Sequence, residues 1–201
     1  MATSPRAHQY ASVMDFPFIH RVLNTPTYAW LWLVARVYLG YEWLESGRHK
    51  VVDSRWMDGG DALKGFWERQ VAIPQQGRPP IVYDWYRDML EFMLDHGWYT
   101  WFAPLISIGE LLVGIALIAG ALTGFAALTG AFMNMNFMLA GTASSNPVLL
   151  LLSVAVIAAW RVAGYWGADR FLLRLIGTPW NPGVVLRWLR RWPRPRMAQS
   201  P

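Results

Sequence analysis

The chain has 201 residues, of which 54% are hydrophobic and 15% charged, with a net charge of +5 and no cysteine. Soluble domains carry roughly 25% charged residues, whereas here Glu110 is the only charge between Trp98 and Trp160, which excludes a dispersed soluble domain. The lack of cysteine excludes disulfides, iron–sulfur clusters, covalently attached haem and persulfide chemistry within the chain.

Residues 1–24 are polar and show no cleavable signal pattern, so the first hydrophobic segment is expected to be retained. That segment covers 26–46, with Thr25 placed to cap it and Pro26 at its first helical position. Residues 47–100 are polar, and three more hydrophobic segments follow at 101–120, 122–141 and 147–166. Each segment holds about 20 residues, which at about 1.5 Å per residue matches a ~30 Å hydrocarbon core. The expected fold is an all-α membrane protein, one domain over 1–201, built as a four-helix transmembrane bundle. The 13 tryptophans agree, since indole rings collect at membrane–water interfaces.

The segment 47–100 is too long for a simple loop. Asp84–Asp95 has helical spacing, with Trp85, Met89, Phe92 and Met93 expected on one side and acids on the other. A second short helix is expected over 58–71, with Pro74, Gly77, Pro79 and Pro80 breaking the chain between them. Together they predict an extracytoplasmic helical cap between the first and second helices.

Beyond Trp160 stand Arg161, Arg170, Arg174, Arg187, Arg190, Arg191, Arg194 and Arg196 against the single acid Asp169. This excess puts the tail, 167–201, on the cytoplasmic side, and an even number of crossings returns the N-terminus there. Asp169–Ile176 and residues 184–192 mix arginine with leucine, phenylalanine and tryptophan, the composition of an amphipathic helix on an anionic leaflet. The lipid bilayer therefore accounts for the basic pI, and no nucleic-acid partner is expected.

Ionisable groups inside hydrophobic segments are costly and point to function. They are Arg36, Glu42, Glu45, Glu110 and Arg161. Arg36 and Glu110 each lie about nine or ten residues from the membrane surface, roughly 15 Å deep, and are expected to pair near mid-bilayer with Asn134 beside them. An ion pair that only fixes helix register is the alternative. At about 100° per residue, Arg36, Gly40, Trp43, Gly47 and Lys50 share one face of the first helix, and Glu42, Glu45 and His49 another. Arg161 is expected to snorkel. His8, His20, His49 and His96 are the histidines, none in mid-membrane. Neither a transmembrane bis-histidine haem nor a metal site is expected.

The run Arg36-Val-Tyr-Leu39-Gly40-Tyr-Glu42-Trp-Leu44-Glu-Ser-Gly47-Arg-His-Lys50 resembles the opening signature of the DoxX/DoxD-like membrane proteins. Gly109-Glu110 with Gly114 and the 117–124 run resembles that family's second-helix glutamate and glycine-rich hairpin, and 134–147 its connection to the last helix. The resemblance implies the four-helix membrane bundle in a bacterial or archaeal cell membrane. DoxD-type members are the membrane subunit of thiosulfate:quinone oxidoreductase, so it also implies a quinone as electron acceptor and electron-transfer subunits as partners. Arg36, Glu42, Lys50 and Glu110 are the family positions. On this reading Arg36, Glu110 and Glu42 are the catalytic candidates, while Trp43, Glu45, Lys50 and Asn134 are those for holding the quinone. Lys50, Arg48 and Arg55 would draw an anionic substrate. A non-catalytic accessory or assembly subunit of a respiratory or photosynthetic complex is the competing expectation. A transporter is disfavoured by short helices and the lack of repeats.

Overall fold

The computed structural model describes residues 17–178 and 181–184. The regular structure in this range is helical apart from one short pairing, Gly177–Thr178 with Asn181–Pro182. In chain order the helices are α1 (Pro17–Asn24), a 3₁₀ turn (Pro26–Tyr28), α2 (Ala29–Val52), α3 (Ser54–Met57), α4 (Asp61–Val71), α5 (Asp84–Asp95), α6 (Tyr99–Ala119), α7 (Thr123–Leu139), α8 (Asn146–Ala158), α9 (Trp160–Ala163) and α10 (Asp169–Ile176).

The segment boundaries differ from expectation where the backbone finds other partners. Thr25 does not cap the first helix; its hydroxyl donates to the Arg21 carbonyl, and Pro26–Tyr28 winds as 3₁₀ before α2 begins. Helix α2 then runs to Val52 rather than stopping at Ser46, with His49 and Lys50 in its last turn, where cations favour the helix C-terminus. The third and fourth segments are shorter than expected, at 17 and 13 residues, because Ala140 and Ala159 leave helical geometry. Among the described residues one helix, α6, is long and apolar enough to cross a membrane, with mean hydropathy 2.2. Its partner α2 is longer but carries Arg36, Glu42, Glu45, Arg48 and Lys50. The second amphipathic stretch expected in the tail, 184–192, lies outside the described residues except for Val184.

Helices α2, α6, α7 and α8 pack in a closed ring of contacts: α2 on α6, α6 on α7, α7 on α8 and α8 on α2. The α2/α6 contact is the most extensive, and small residues set it. A Cβ on Gly114 would stand 2.5 Å from Leu44 N, and one on Gly47 would stand 2.8 Å from Leu111 Cα. Gly40 meets Ile118 in the same way. The backbones are therefore in direct contact, antiparallel, with residue 40 opposite 114–118 and residue 47 opposite 110–111. Small residues at such spacing permit this approach.

Polarity in this ring is inverted relative to a soluble domain. Arg36, Ser107, Glu110, Thr123, Asn134 and Ser153 are buried, while Val34, Leu105, Leu112, Phe125, Leu128, Phe132, Leu151 and Val154 are exposed. Exposed large apolar side chains recur along α2, α6, α7 and α8 at helical spacing.

A second apolar cluster joins α4 and α5 to the start of α6 and the end of α7, through Leu63, Trp67, Ile81, Tyr86, Leu90, Met93, Ala103 and Ala140. Arg87 pins the chain ahead of α5, donating to the Ile81 carbonyl and to Asp84, both at 2.6 Å. The inward face of α5 is Tyr86, Leu90 and Met93; of the expected Trp85, Met89, Phe92 and Met93 only Met93 is buried, and the other three are exposed. Helix α5 has two apolar faces, and hydrophobic spacing by itself does not choose between them. Tyr86 donates from its hydroxyl to the Asn136 carbonyl at 3.0 Å, and burial pushes its phenol up to about 12.

At the opposite end Asp169 closes the α6–α7 turn. Its carboxylate accepts from Leu122 N at 2.6 Å and Thr123 N at 2.9 Å, capping α7. Asp169→Ala is expected to cost about 1–2 kcal/mol, the upper range for an N-cap, since the freed amides are buried. Thermal unfolding in detergent measures it, and an unchanged midpoint would show the cap to be dispensable.

Candidate functional site

The extension of α2 past Ser46 carries Lys50 over Glu110. Lys50 Nζ lies 2.5 Å from Glu110 Oε2, and Ser46 Oγ donates to the same oxygen at 2.9 Å. Lys50 also donates to Ser46 Oγ at 2.8 Å, so ammonium, hydroxyl and carboxylate form a triangle. The Glu110 side chain is fully buried and that of Lys50 is 18% exposed. Trp56 and Phe137 flank the ammonium, with ring centroids 5.2 and 5.8 Å from Nζ, a cation–π arrangement.

Above this triangle opens a cleft of about 590 Å³, within the usual range for small-molecule sites. Ser46 and Lys50 lie on its α2 side, Trp56, Phe66 and Phe137 supply aromatic surface, and Thr142 and Asn146 come from the α7–α8 connection. Arg55 and Arg69 add positive charge against one lining acid, Asp61. Arg55 is held by Asp53 at 2.8 Å, and that hydrogen-bonded guanidinium keeps the Asp53 carboxyl below the usual carboxylate range.

Below the triangle lie buried polar atoms with no hydrogen-bond partner among the described residues: Glu110 Oε1, both amide atoms of Asn134, and Trp43 Nε1. Trp43 Nε1 faces Gly130, where a Cβ would come within 2.8 Å, and Asn134 is one helical turn further along α7. Gly109 faces Met133, which sets Asn134 near the level of Glu110. Buried polar groups in proteins are nearly always paired, so this concentration marks unused hydrogen-bonding capacity beside the ion pair.

The structure thus joins Lys50 to Glu110 between α2 and α6, adds Ser46, Trp56 and Phe137 to them, and sets Trp43 against Gly130 of α7, one turn from Asn134. It does not bring Arg36 to Glu110. Arg36 donates to Leu117 O at 2.5 Å, Ile118 O at 2.7 Å and Trp166 O at 3.1 Å, closing the C-terminal end of α6. The expected Arg36–Glu110 pair is therefore replaced by two separate arrangements. In the antiparallel register Arg36 stands opposite Leu117 and Ile118, roughly 10 Å along the axis from Glu110. Glu45 bonds Arg48 and His49 on the exposed side of α2, and half-buried Glu42 has no ion pair or hydrogen bond among the described residues. His96 bonds the Phe92 carbonyl of its own helix, so it and His49 serve different partners. Asp169 and Arg87 carried weak sequence signals, one as a lone acid among arginines and the other as one charge among many.

A family model described as DoxX matches residues 31–143. The chain belongs to the DoxX family. The match spans more than half of the 201 residues and contains α2 from its third residue, the α3–α5 segment, α6 and α7. Every member of the Lys50–Ser46–Glu110 triangle, with Trp43, Trp56, Asn134 and Phe137, falls inside the DoxX stretch. DoxX proteins are membrane proteins, in keeping with the apolar α6. Neither curated proteins nor solved structures gave a match to the chain.

Proposed function

We propose that this DoxX protein is a multi-pass membrane oxidoreductase of the DoxD type, oxidising thiosulfate with a quinone as acceptor at the Lys50–Glu110 cleft. The observation that carries the reading is a buried lysine–carboxylate pair at the floor of a basic, aromatic-walled cleft. Two thiosulfate anions lose one electron each and join through a new S–S bond to give tetrathionate. The two electrons, with two protons, go to the quinone. Lys50, Arg55 and Arg69 offset the charge of the incoming anions. Lys50 is also a donor for a quinone carbonyl, and Trp56, Phe66 and Phe137 offer flat apolar surface for its ring. Glu110, buried and hydrogen-bonded, is the group that exchanges a proton at the cleft floor. The quinone, when bound, supplies the two-electron sink; this chain's residues bind, orient and move protons.

In this reading α2, α6, α7 and α8 cross the bilayer as a four-helix bundle, with α3–α5 as the extracytoplasmic cap and both termini in the cytoplasm. Exposed leucine, valine and phenylalanine around a core of small and polar residues support four lipid-facing helices. The arginine excess after Trp160 supports the orientation.

The test is quinone reduction by purified protein in liposomes supplied with thiosulfate and a soluble quinone. Turnover no greater than that of empty liposomes overturns the enzyme reading. If turnover is present, Arg69→Ala is expected to raise KM for thiosulfate several-fold at low salt, roughly the effect of one exposed cation, with kcat unchanged.

One observation favours the accessory-subunit reading. Trp85, Phe92, Trp98 and Trp101 are exposed, with an edge contact between Phe92 and Trp98 and a tilted one between Trp98 and Trp101, a surface suited to a neighbouring subunit. Copurification in mild detergent of a stoichiometric complex with electron-transfer subunits, together with no turnover by the isolated chain, would favour it.

A further inference from the structure

Two clefts meet at α10, at the end of the molecule opposite Lys50. One, of about 330 Å³, is apolar and runs between α7 and the α8–α9 junction along Leu122, Phe125, Leu128, Ile157, Trp160 and Leu173. The other, of about 250 Å³, is cationic, lined by Arg161, Tyr165, Arg170 and Arg174. Asp169 and Leu173 line both, so the apolar slot and the arginine pocket adjoin at these two residues.

Their charges are not evenly matched. Asp169 is the one acid there, and both its oxygens are taken by the amides of Leu122 and Thr123. Arg170 stacks over Tyr165 at 5.7 Å, and neither it nor Arg174 has a carboxylate partner among the described residues. The one-turn spacing of Arg170 and Arg174 puts both on the same side of α10. Phe125 and Leu128 of the slot stand exposed. A free phosphate would satisfy the arginines but leave the slot unused. A phospholipid uses both, with the phosphate on Arg170 and Arg174 and an acyl chain along Leu122, Phe125 and Leu128.

We propose that the junction of these two clefts binds a single anionic phospholipid. This goes beyond general attraction to a negatively charged leaflet, because it assigns one lipid to one place. It is independent of the redox reading, and its test is made in micelles, without reference to topology.

The measurement is native mass spectrometry of delipidated protein titrated with phosphatidylglycerol, phosphatidylcholine or glycerol 3-phosphate. Wild-type protein is expected to take up one phosphatidylglycerol at least roughly tenfold more tightly than phosphatidylcholine. The double variant Arg170→Ala/Arg174→Ala, altered at two exposed positions, is expected to lose that preference, while Arg48→Ala at the far end keeps it. Phe125→Ser is expected to weaken both lipids alike. Absence of a preference in wild-type protein, or the same preference in the double variant, overturns the proposal. Displacement of phosphatidylglycerol by an equal concentration of glycerol 3-phosphate overturns the lipid assignment.

Discussion

Lys50→Met is expected to lower the stability of the folded chain by about 3–5 kcal/mol, the cost of stranding a buried carboxylate without its partner. Glu110 has no exposed surface, and its remaining neighbour at Oε2 is the Ser46 hydroxyl, which cannot balance a full charge. Glu110→Gln is expected to be destabilising too, by leaving the ammonium between Trp56 and Phe137 without its counter-charge. The double variant Lys50→Met/Glu110→Gln is expected to recover most of the loss, because replacing both members of a buried pair removes the imbalance. Denaturant titration in micelles measures all three. Losses that simply add would show that the two side chains do not act on each other. Under the proposed function, the recovered double variant still fails to reduce quinone with thiosulfate, which separates the chemistry of the pair from its contribution to folding.

The second large effect contrasts two glycines in the paired α2 and α6. Gly47→Ala puts a methyl group within 2.8 Å of Leu111 Cα and 3.0 Å of Glu110 C, both backbone atoms that no side-chain rotation can move aside. A loss of about 3 kcal/mol, the upper part of the range for overpacking, is expected. Gly109→Ala, within α6, meets nothing closer than Met133 Sδ at 4.0 Å. The same methyl group there is expected to stabilise by up to about 1 kcal/mol, through helix propensity. Equal melting temperatures for the two variants would refute the close contact of α2 with α6.

The faces of α2 were legible from spacing alone: Arg36, Gly40, Trp43 and Gly47 are the buried side. The helix Asp84–Asp95 was legible in its bounds and not in its orientation, since Trp85/Met89/Phe92 and Tyr86/Leu90/Met93 are both spaced for burial. Lys50 and Glu110 were each legible as candidates, but their contact was hidden by ending the first helix at Ser46. Polar residues after a hydrophobic run read as an exit from the membrane. They do not reveal that the helix continues to Val52. An arginine in an apolar helix suggests an acidic partner, and Arg36 departs from that expectation. Here the carbonyls left free at the end of α6 serve instead, and those are invisible in a list of side chains.

The glycine contact between α2 and α6 also limits how this protein can move. Sliding α2 by one turn, about 5.4 Å, would bring Trp43 to where Gly47 now touches Leu111, and an indole cannot occupy that gap. Tilting the pair apart would break the Arg36 closure at one end and the Lys50–Glu110 bond at the other. The two helices therefore behave as a single strut, fastened at both ends. Any opening of the cleft therefore falls to the segments that line it outside the pair, Ser54–Met57 and Asp61–Val71 among them. A machine built this way opens a door instead of rocking its walls.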